Sequence, residues 1–257
     1  MITPFRRLRS LLIAAVATLA CAPAMAQTDF SVNPLLLTLS AGLRSGQLEI
    51  KNYAPQRLRI QLRGASWNQE TSGKNLYGEA PGLIYFPRAL DLAPGEARIV
   101  RVGIKAAPAT REESYVLFVE QVPASTDPAG NAGGAQIQLV LSIAIPVFVQ
   151  PSTKPVGSTE MEGPTVRAGK LQFVLRNDAN RYFRAQDIRL RGLGESGAEV
   201  MMQRLPARYV LAGNRQLFEA VIPAETCTRL SALEITVTTP EKVEIKRHLD
   251  VAGTDCE

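Results

Sequence analysis

The sequence predicts an all-β protein: two immunoglobulin-like β-sandwich domains joined by a short proline-containing hinge. Three observations lead there. From Phe30 to Val149, short runs of alternating apolar and polar residues recur between clusters of turn residues. Pro151-Ser152-Thr153-Lys154-Pro155 then interrupts the alternation with two prolines, which favour a stiff, extended connector. Beyond it the alternation resumes in a smaller set of strands. The expected division is a leader over 1–26, a first sandwich over 27–150 and a second over 151–257.

The leader comes first in the chain. Arg6, Arg7 and Arg9 precede an apolar run from Leu11 to Cys21 and then Ala24-Met25-Ala26, the pattern of a Sec-type secretory signal cleaved after Ala26. The apolar run is too short for a permanent membrane span. Thr18-Leu19-Ala20-Cys21 loosely resembles a lipidation site, with Thr18 in place of a larger aliphatic, so cleavage after Ala26 is the preferred reading. Removing those three arginines leaves 26 basic residues against 24 acidic ones, a net charge of +2. With no run of lysine or arginine, that balance speaks against a nucleic-acid partner. The two remaining cysteines, Cys227 and Cys256, are expected to pair in an oxidising compartment.

In the first region strands are expected near Phe30–Leu39, Gly46–Asn52, Arg57–Ser66, Leu83–Phe86, Ala97–Ile104, Ser114–Val122 and Gln136–Val149. Turns at Asn52-Tyr53-Ala54-Pro55, Ser72-Gly73-Lys74-Asn75, Ala93-Pro94-Gly95-Glu96 and Asp127-Pro128-Ala129-Gly130-Asn131 separate them. The lone tryptophan, Trp67, is expected to anchor this sandwich. In the second region the expected strands are Leu171–Arg176, Ala185–Arg191, Arg208–Leu211, Leu217–Ile222, Ser231–Thr238 and Val243–Val251.

The last strand of the first region is unusual. Ile137, Leu139, Leu141, Ile143, Ile145, Val147 and Val149 are all aliphatic and all in phase. Thirteen residues at about 3.3 Å each reach roughly 43 Å, whereas an ordinary strand has about five or six residues. From Gln136 to Ala144 there is neither charge nor proline, the devices that normally blunt an exposed edge. Such a strand is central in a large sheet, or spans a membrane in a barrel, or is held ready to pair with another chain. A barrel needs many similar segments, and the others here are short and charged.

Catalytic signals are weak. His248 is the sole histidine and sits in an expected strand without placed partners, so an exposed or satisfied strand histidine is its plain reading. Gly192-Leu193-Gly194-Glu195-Ser196-Gly197 matches the dinucleotide-binding glycine pattern literally. A cofactor site would need a following helix, and only Ala198–Leu205 could be helical before Pro206. A glycine-rich hairpin is the better reading. No enzyme, cofactor, metal site or small-molecule substrate is therefore expected.

The surroundings of the long strand carry a family resemblance. Phe30-Ser31-Val32-Asn33-Pro34, Asn52-Tyr53-Ala54-Pro55, Pro87-Arg88-Ala89-Leu90-Asp91-Leu92-Ala93-Pro94-Gly95-Glu96, Arg101-Val102 and Ile145-Pro146-Val147-Phe148-Val149-Gln150-Pro151 follow one another at the family's spacings. Together they resemble the periplasmic chaperones of chaperone–usher pilus assembly, and the ending resembles the archaic branch. The resemblance covers Phe30 to Pro151; the C-terminal part shares only size and strand pattern.

What the resemblance implies is a periplasmic protein in which two sandwiches form an L. The first sandwich lends its last strand to an incomplete pilin subunit and delivers it to an outer-membrane usher, without ATP. Motif matching places the lent side chains at Ile137, Leu139, Leu141, Ile143 and Ile145, the last being nearest the hinge. The best-known branch clamps the pilin's terminal carboxylate with an arginine and a lysine. The matching places here are Leu36 or Leu37 and Pro146, which cannot do so, and Arg101 and Arg88 are the expected substitutes. Gln150 stands where a basic residue usually bridges the domains, so the domain angle must be fixed in another way. Self-association through the same strand is a further expectation. The alternative function is a pilus or adhesin structural subunit, which would need a free N-terminal donor extension and a sandwich missing its final strand.

Overall fold

A computed structural model describes residues 30–108, 110–123 and 140–256. The first sandwich comprises β1 (Phe30–Asn33), β2 (Leu37–Leu39), β3 (Ser45–Asn52), β4 (Leu58–Gln69), β5 (Asn75–Gly78), β6 (Leu83–Phe86), β7 (Ala89–Leu92), β8 (Ala97–Ile104), β9 (Glu113–Gln121) and β10 (Ser142–Val149). One sheet runs β1-β3-β8-β6; the other runs β2-β10-β9-β4-β5, with β7 also paired to β4. Every pairing is antiparallel except β2 with β10, which is parallel. In-phase apolar residues such as Ile50, Val100, Ile60 and Leu117 turn inward and are wholly or almost wholly buried. Their desolvation is the main force holding the two sheets face to face.

The expected strand Phe30–Leu39 is two strands. Pro34 cannot donate to a ladder, and at that point the chain leaves β3 in one sheet and joins β10 in the other. The hairpin expected at Ser72–Asn75 turns two residues earlier, with Glu70 N–H donating to Lys74 O and Gly73 N–H to Glu70 O. β4 is thereby lengthened to Gln69, and β5 pairs with its far end.

The second sandwich comprises β11 (Thr159–Arg167), β12 (Lys170–Asn177), β13 (Phe183–Ala185), β14 (Asp187–Leu193), β15 (Glu199–Leu205), β16 (Arg208–Val210), β17 (Arg215–Val221), β18 (Ala232–Thr238) and β19 (Glu244–Asp250), with one short helix, α1 (Ala224–Cys227). Its sheets run β11-β12-β17 and β15-β14-β18-β19, and β13 pairs with β16. The glycine-rich segment is a hairpin turn. Gly197 N–H donates to Gly194 O, and Gly197 takes a positive φ of 74° that suits glycine. Ala198–Leu205 is not helical; its residues from Glu199 form β15, in register with β14. Pairing with β14 and the packing of Val200, Met201 and Leu205 against the second core prevail over the good helix propensity of Met and Gln.

A shared device ties each sandwich's loops to its core. Asn52 is fully buried, donates from Nδ2 to Gln56, Leu92 and Ala93 carbonyls, and accepts Ala54 N–H at Oδ1. Asn177 does the same in the second sandwich, toward Arg181, Val210 and Leu211 carbonyls and Ala179 N–H. Each amide thus has its bonding capacity met where water is excluded.

Cys227 and Cys256 form a disulfide with Cα atoms 5.7 Å apart, linking α1 to the chain end across 29 residues. Cys227 is wholly buried in the second core. Closing a loop of that length restricts the unfolded chain. Replacing both cysteines by serine is expected to cost the second sandwich about 2–4 kcal/mol, read as a lowered urea midpoint with a steeper slope, because the opened unfolded chain exposes more surface.

Candidate functional site

The site grows from how β10 uses its two edges. Gln121 N–H donates to Leu141 O at 2.9 Å, so odd-numbered residues from Leu141 onward present their peptide groups to β9. Even-numbered residues present theirs to the other side. There β2 covers Val147–Val149, and Gln150 N–H donates to Leu39 O at 2.8 Å. Over Ser142–Pro146 no strand among the described residues pairs with that edge. Pro146 has no N–H to leave unpaired, which suits an edge.

Side-chain burial changes steeply along the same strand. Val149, Val147 and Ile145 are wholly buried, Ile143 is half-buried against the core, and Leu141 is 37% exposed. Ile145 is therefore part of this chain's own core, opposite Leu117, and cannot be lent without opening the sandwich. Leu141 and Ile143 are the two expected side chains that the described structure leaves wholly or partly uncovered. Ile137 and Leu139 lie outside the described residues.

Neither Arg101 nor Arg88 reaches this edge. Alternation along β8 buries Val100 and Val102 and turns Arg101 to the outer face of the other sheet, opposite Phe86. Arg88 follows the crossover from β6 to β7, with its guanidinium 5.5 Å from the Tyr85 ring centre. Both are exposed. The cation lining the cleft beside β10 is Arg208, from the second sandwich, which stands with Tyr209 across from Ala144, Pro146, Trp67 and Tyr77. Nothing in the local sequence marks Arg208, because tertiary packing alone brings β16 to the first sandwich. His248 is exposed in β19, 3.3 Å from Asp250.

The outward-facing side chains of this sheet form rows: Trp67 and Phe148 nearest the hinge, then Ala65, Val116 and Pro146, then Arg63, Phe118 and Ala144. The second sandwich covers the first row. Phe148 is fully buried, stacked on Tyr182 with centroids 3.9 Å apart, and Tyr209 packs on both at 5.4 and 5.5 Å. Trp67 joins at 5.9 Å from Phe148 and 5.8 Å from Tyr209. It does not anchor the first core as expected, because its position in β4 is in phase with the outer face.

Polar groups complete the junction. Gln69 donates to Tyr209 O at 2.9 Å and accepts from Leu211 N–H at 3.0 Å. The β4–β5 turn reaches the edge of β17, where Leu217 N–H donates to Thr71 O at 2.8 Å. Asn180 donates to Thr110 O, Thr153 Oγ1 and Lys154 O. Glu112 sits at the centre of the hinge side: its own N–H donates to Asn180 O, and its Oε1 accepts Tyr182 N–H at 2.9 Å. Its Oε2 is buried with no partner. Burial pushes the Glu112 carboxyl up to about 7; the Tyr182 N–H and the nearby Arg181 offset this in part. These contacts do the work that Gln150 cannot.

Comparison with known proteins follows this geometry. Residues 29–155 match the family described as pili and flagellar-assembly chaperone, PapD N-terminal domain. In structure the chain is similar to the CsuC–CsuE chaperone–tip adhesion subunit pre-assembly complex from archaic chaperone–usher Csu pili of Acinetobacter baumannii. The identity there is 20%, over 74% of this chain and 90% of that one, with a TM-score of 0.51. It is similar to the Salmonella enterica SafA pilin in complex with the SafB chaperone, at 14% identity over 89% and 99% of the chains and a TM-score of 0.52. The E. coli chaperone DraB gives 16% identity over 87% and 97%, with a TM-score of 0.51. At such identities these likenesses show the fold. No curated protein matches the chain in sequence.

The junction is expected to respond to pH with a definite sign. A carboxyl held above its ordinary value of 4.5 favours the folded junction while protonated, and that contribution is lost as pH rises through about 7. Glu112→Gln keeps the acceptor for Tyr182 N–H without the charge. It should stabilise the chain at pH 8 by about 1–3 kcal/mol and flatten the fall in stability between pH 5 and 8, as followed by thermal unfolding.

Proposed function

We propose that this chain, whose first sandwich matches the pilus-assembly chaperone family, binds incomplete pilin subunits by donor-strand complementation and passes them to an outer-membrane usher. The observation that carries this reading is the uncovered edge of β10 over Ser142–Pro146, continuing into the exposed Leu141. A pilin lacking one strand of its own would find there both unpaired peptide groups and in-phase aliphatics. The peptide groups supply affinity, and alternate side chains fill the groove. In this reading Ile137, Leu139, Leu141 and Ile143 enter the pilin, each moving from water to an apolar groove at a gain on the order of 1.5–3 kcal/mol before ordering costs. Ile145 stays at home and keeps the strand attached. No catalytic step is involved. Export through the Sec route with cleavage after Ala26 would place the chain in the periplasm, and the Ile145–Val149 ending supports the archaic branch.

The neighbouring complexes give the reading context, since two of them hold a chaperone with a pilin or a tip adhesion subunit. The uncovered even-numbered edge and the uncovered odd-numbered side chain can be tested separately. Co-expressed with a cognate pilin, the wild-type chain is expected to co-purify as a soluble one-to-one complex. Leu141→Asp or Leu139→Asp should weaken it at least about tenfold through the side chains. Ala144→Pro removes an outward-facing N–H while sparing the bonds to β9, and should weaken it through the backbone. An undiminished complex in all three variants, each with wild-type unfolding temperature, would sink the proposal.

A further inference from the structure

We propose that the outer face of the other sheet, along β6 and β8, is a docking surface for an extended acidic segment of a partner protein that also carries apolar side chains. Phe86 is 74% exposed, Ile84 50% and Ile99 41%, a concentration of large apolar groups on one sheet face. The cross-strand register sets Phe86 beside Arg101 and Ile84 beside Gly103. Gly103 lets the chain at Arg44 lie close over this end of the face: a Cβ there would come within 3.2 Å of Arg44 O. Around these apolar groups stand four exposed cations, Arg44, Arg88, Arg101 and Lys105, none of which forms an ion pair with a carboxylate among the described residues. Arg44 donates to the Lys105 carbonyl, which holds two of the four together at one end of the face. The carboxylate on these rows is Glu49, across from Ile99 on the next strand inward. Other arginines of the first sandwich do have carboxylate partners: Arg57 with Asp91, Arg63 with Glu120 and Arg98 with Glu96.

Charge complementarity identifies the occupant as acidic, and the strand geometry makes it extended. β6 is the last strand of its sheet. Lys105 N–H donates to Gly82 O, so even positions of β6 face β8, and the Tyr85 amide and carbonyl face outward. An added strand could take those groups while alternate side chains meet Phe86 and Arg101. A lipid surface would use the cations but not the edge, so the protein segment is favoured. The face lies on the sheet opposite β10, so it remains free while β10 is occupied, and the inference stands whether or not a pilin binds there.

The test uses the full mature chain and a labelled ten-residue peptide alternating glutamate with leucine and phenylalanine. A lysine-for-glutamate peptide serves as the control, and binding is followed by fluorescence anisotropy. The acidic peptide should bind and weaken as salt is raised, while the lysine peptide should not bind. Arg101→Glu and Phe86→Ser should each reduce affinity at least about tenfold, with unfolding temperature unchanged because both side chains are exposed. Hydrogen exchange should slow at Tyr85 when the peptide is bound. Equal binding of both peptides, or indifference to both variants, overturns the proposal. So does a chain that ignores the acidic peptide but floats with phosphatidylglycerol vesicles and loses that in Arg101→Glu.

Discussion

The structure depends on one strand bonding fully on one side and partly on the other. β10 gives its odd-numbered peptide groups to β9 along its whole described length, which fixes it in the first sandwich. Its even-numbered groups meet β2 only at Val147–Val149. Two prolines set that limit. Parallel pairing beyond Leu37 would bring Leu36 opposite Pro146, which has no N–H, and two residues earlier the chain reaches Pro34, where it has come over from the other sheet. Had β2 continued, the free edge would be filled from within, and a second chain would find nothing to pair with.

The same strand also sets the angle between the sandwiches. Its outward phase places Phe148 at the hinge, where the second sandwich buries it against Tyr182 and Tyr209. Further along, the outward phase carries Pro146 and Ala144, small and partly open, on the floor and wall of the cleft. One strand therefore holds the domains together at one end and leaves room between them at the other. Among the described residues the junction relies on aromatic packing, the Gln69 clamp and the buried Glu112 rather than on an ion pair. Aromatic contacts and neutral amide bonds are short-ranged, so the angle is set by shape complementarity and is little affected by ionic strength.

Much of the fold was legible in the sequence because two-residue alternation and turn chemistry are local. β3, β6, β8 and β9 fall within a residue of their expected bounds. What was not legible arises from contacts between distant segments. β7 is only four residues long and β11 is broken by a register shift after Glu162, and both are held by the edges that β4 and β12 offer them. Trp67 reads as a core residue by type, yet its phase in β4 turns it to the domain junction. Arg208 carries no local signal at all. The Asn-x-Ala pairs at Asn52 and Asn177 were visible as letters, and only their burial shows them to be the same device used twice.

The candidate donor strand teaches the same distinction. Seven in-phase aliphatics look equivalent in sequence, since alternation reports which face a side chain is on and not what covers that face. Coverage is decided by the opposite sheet and by neighbouring strands: Ile60 and Leu141 share an inner-face row through Gln121, yet Ile60 is buried and Leu141 is not, because one is interior to the sheet and the other on its edge. Within one uninterrupted pattern, then, Ile145 belongs to the molecule's own stability and Leu141 to whatever approaches the edge. A lent strand needs both, because side chains that bind a guest can hold it only if the residues that follow them hold the host.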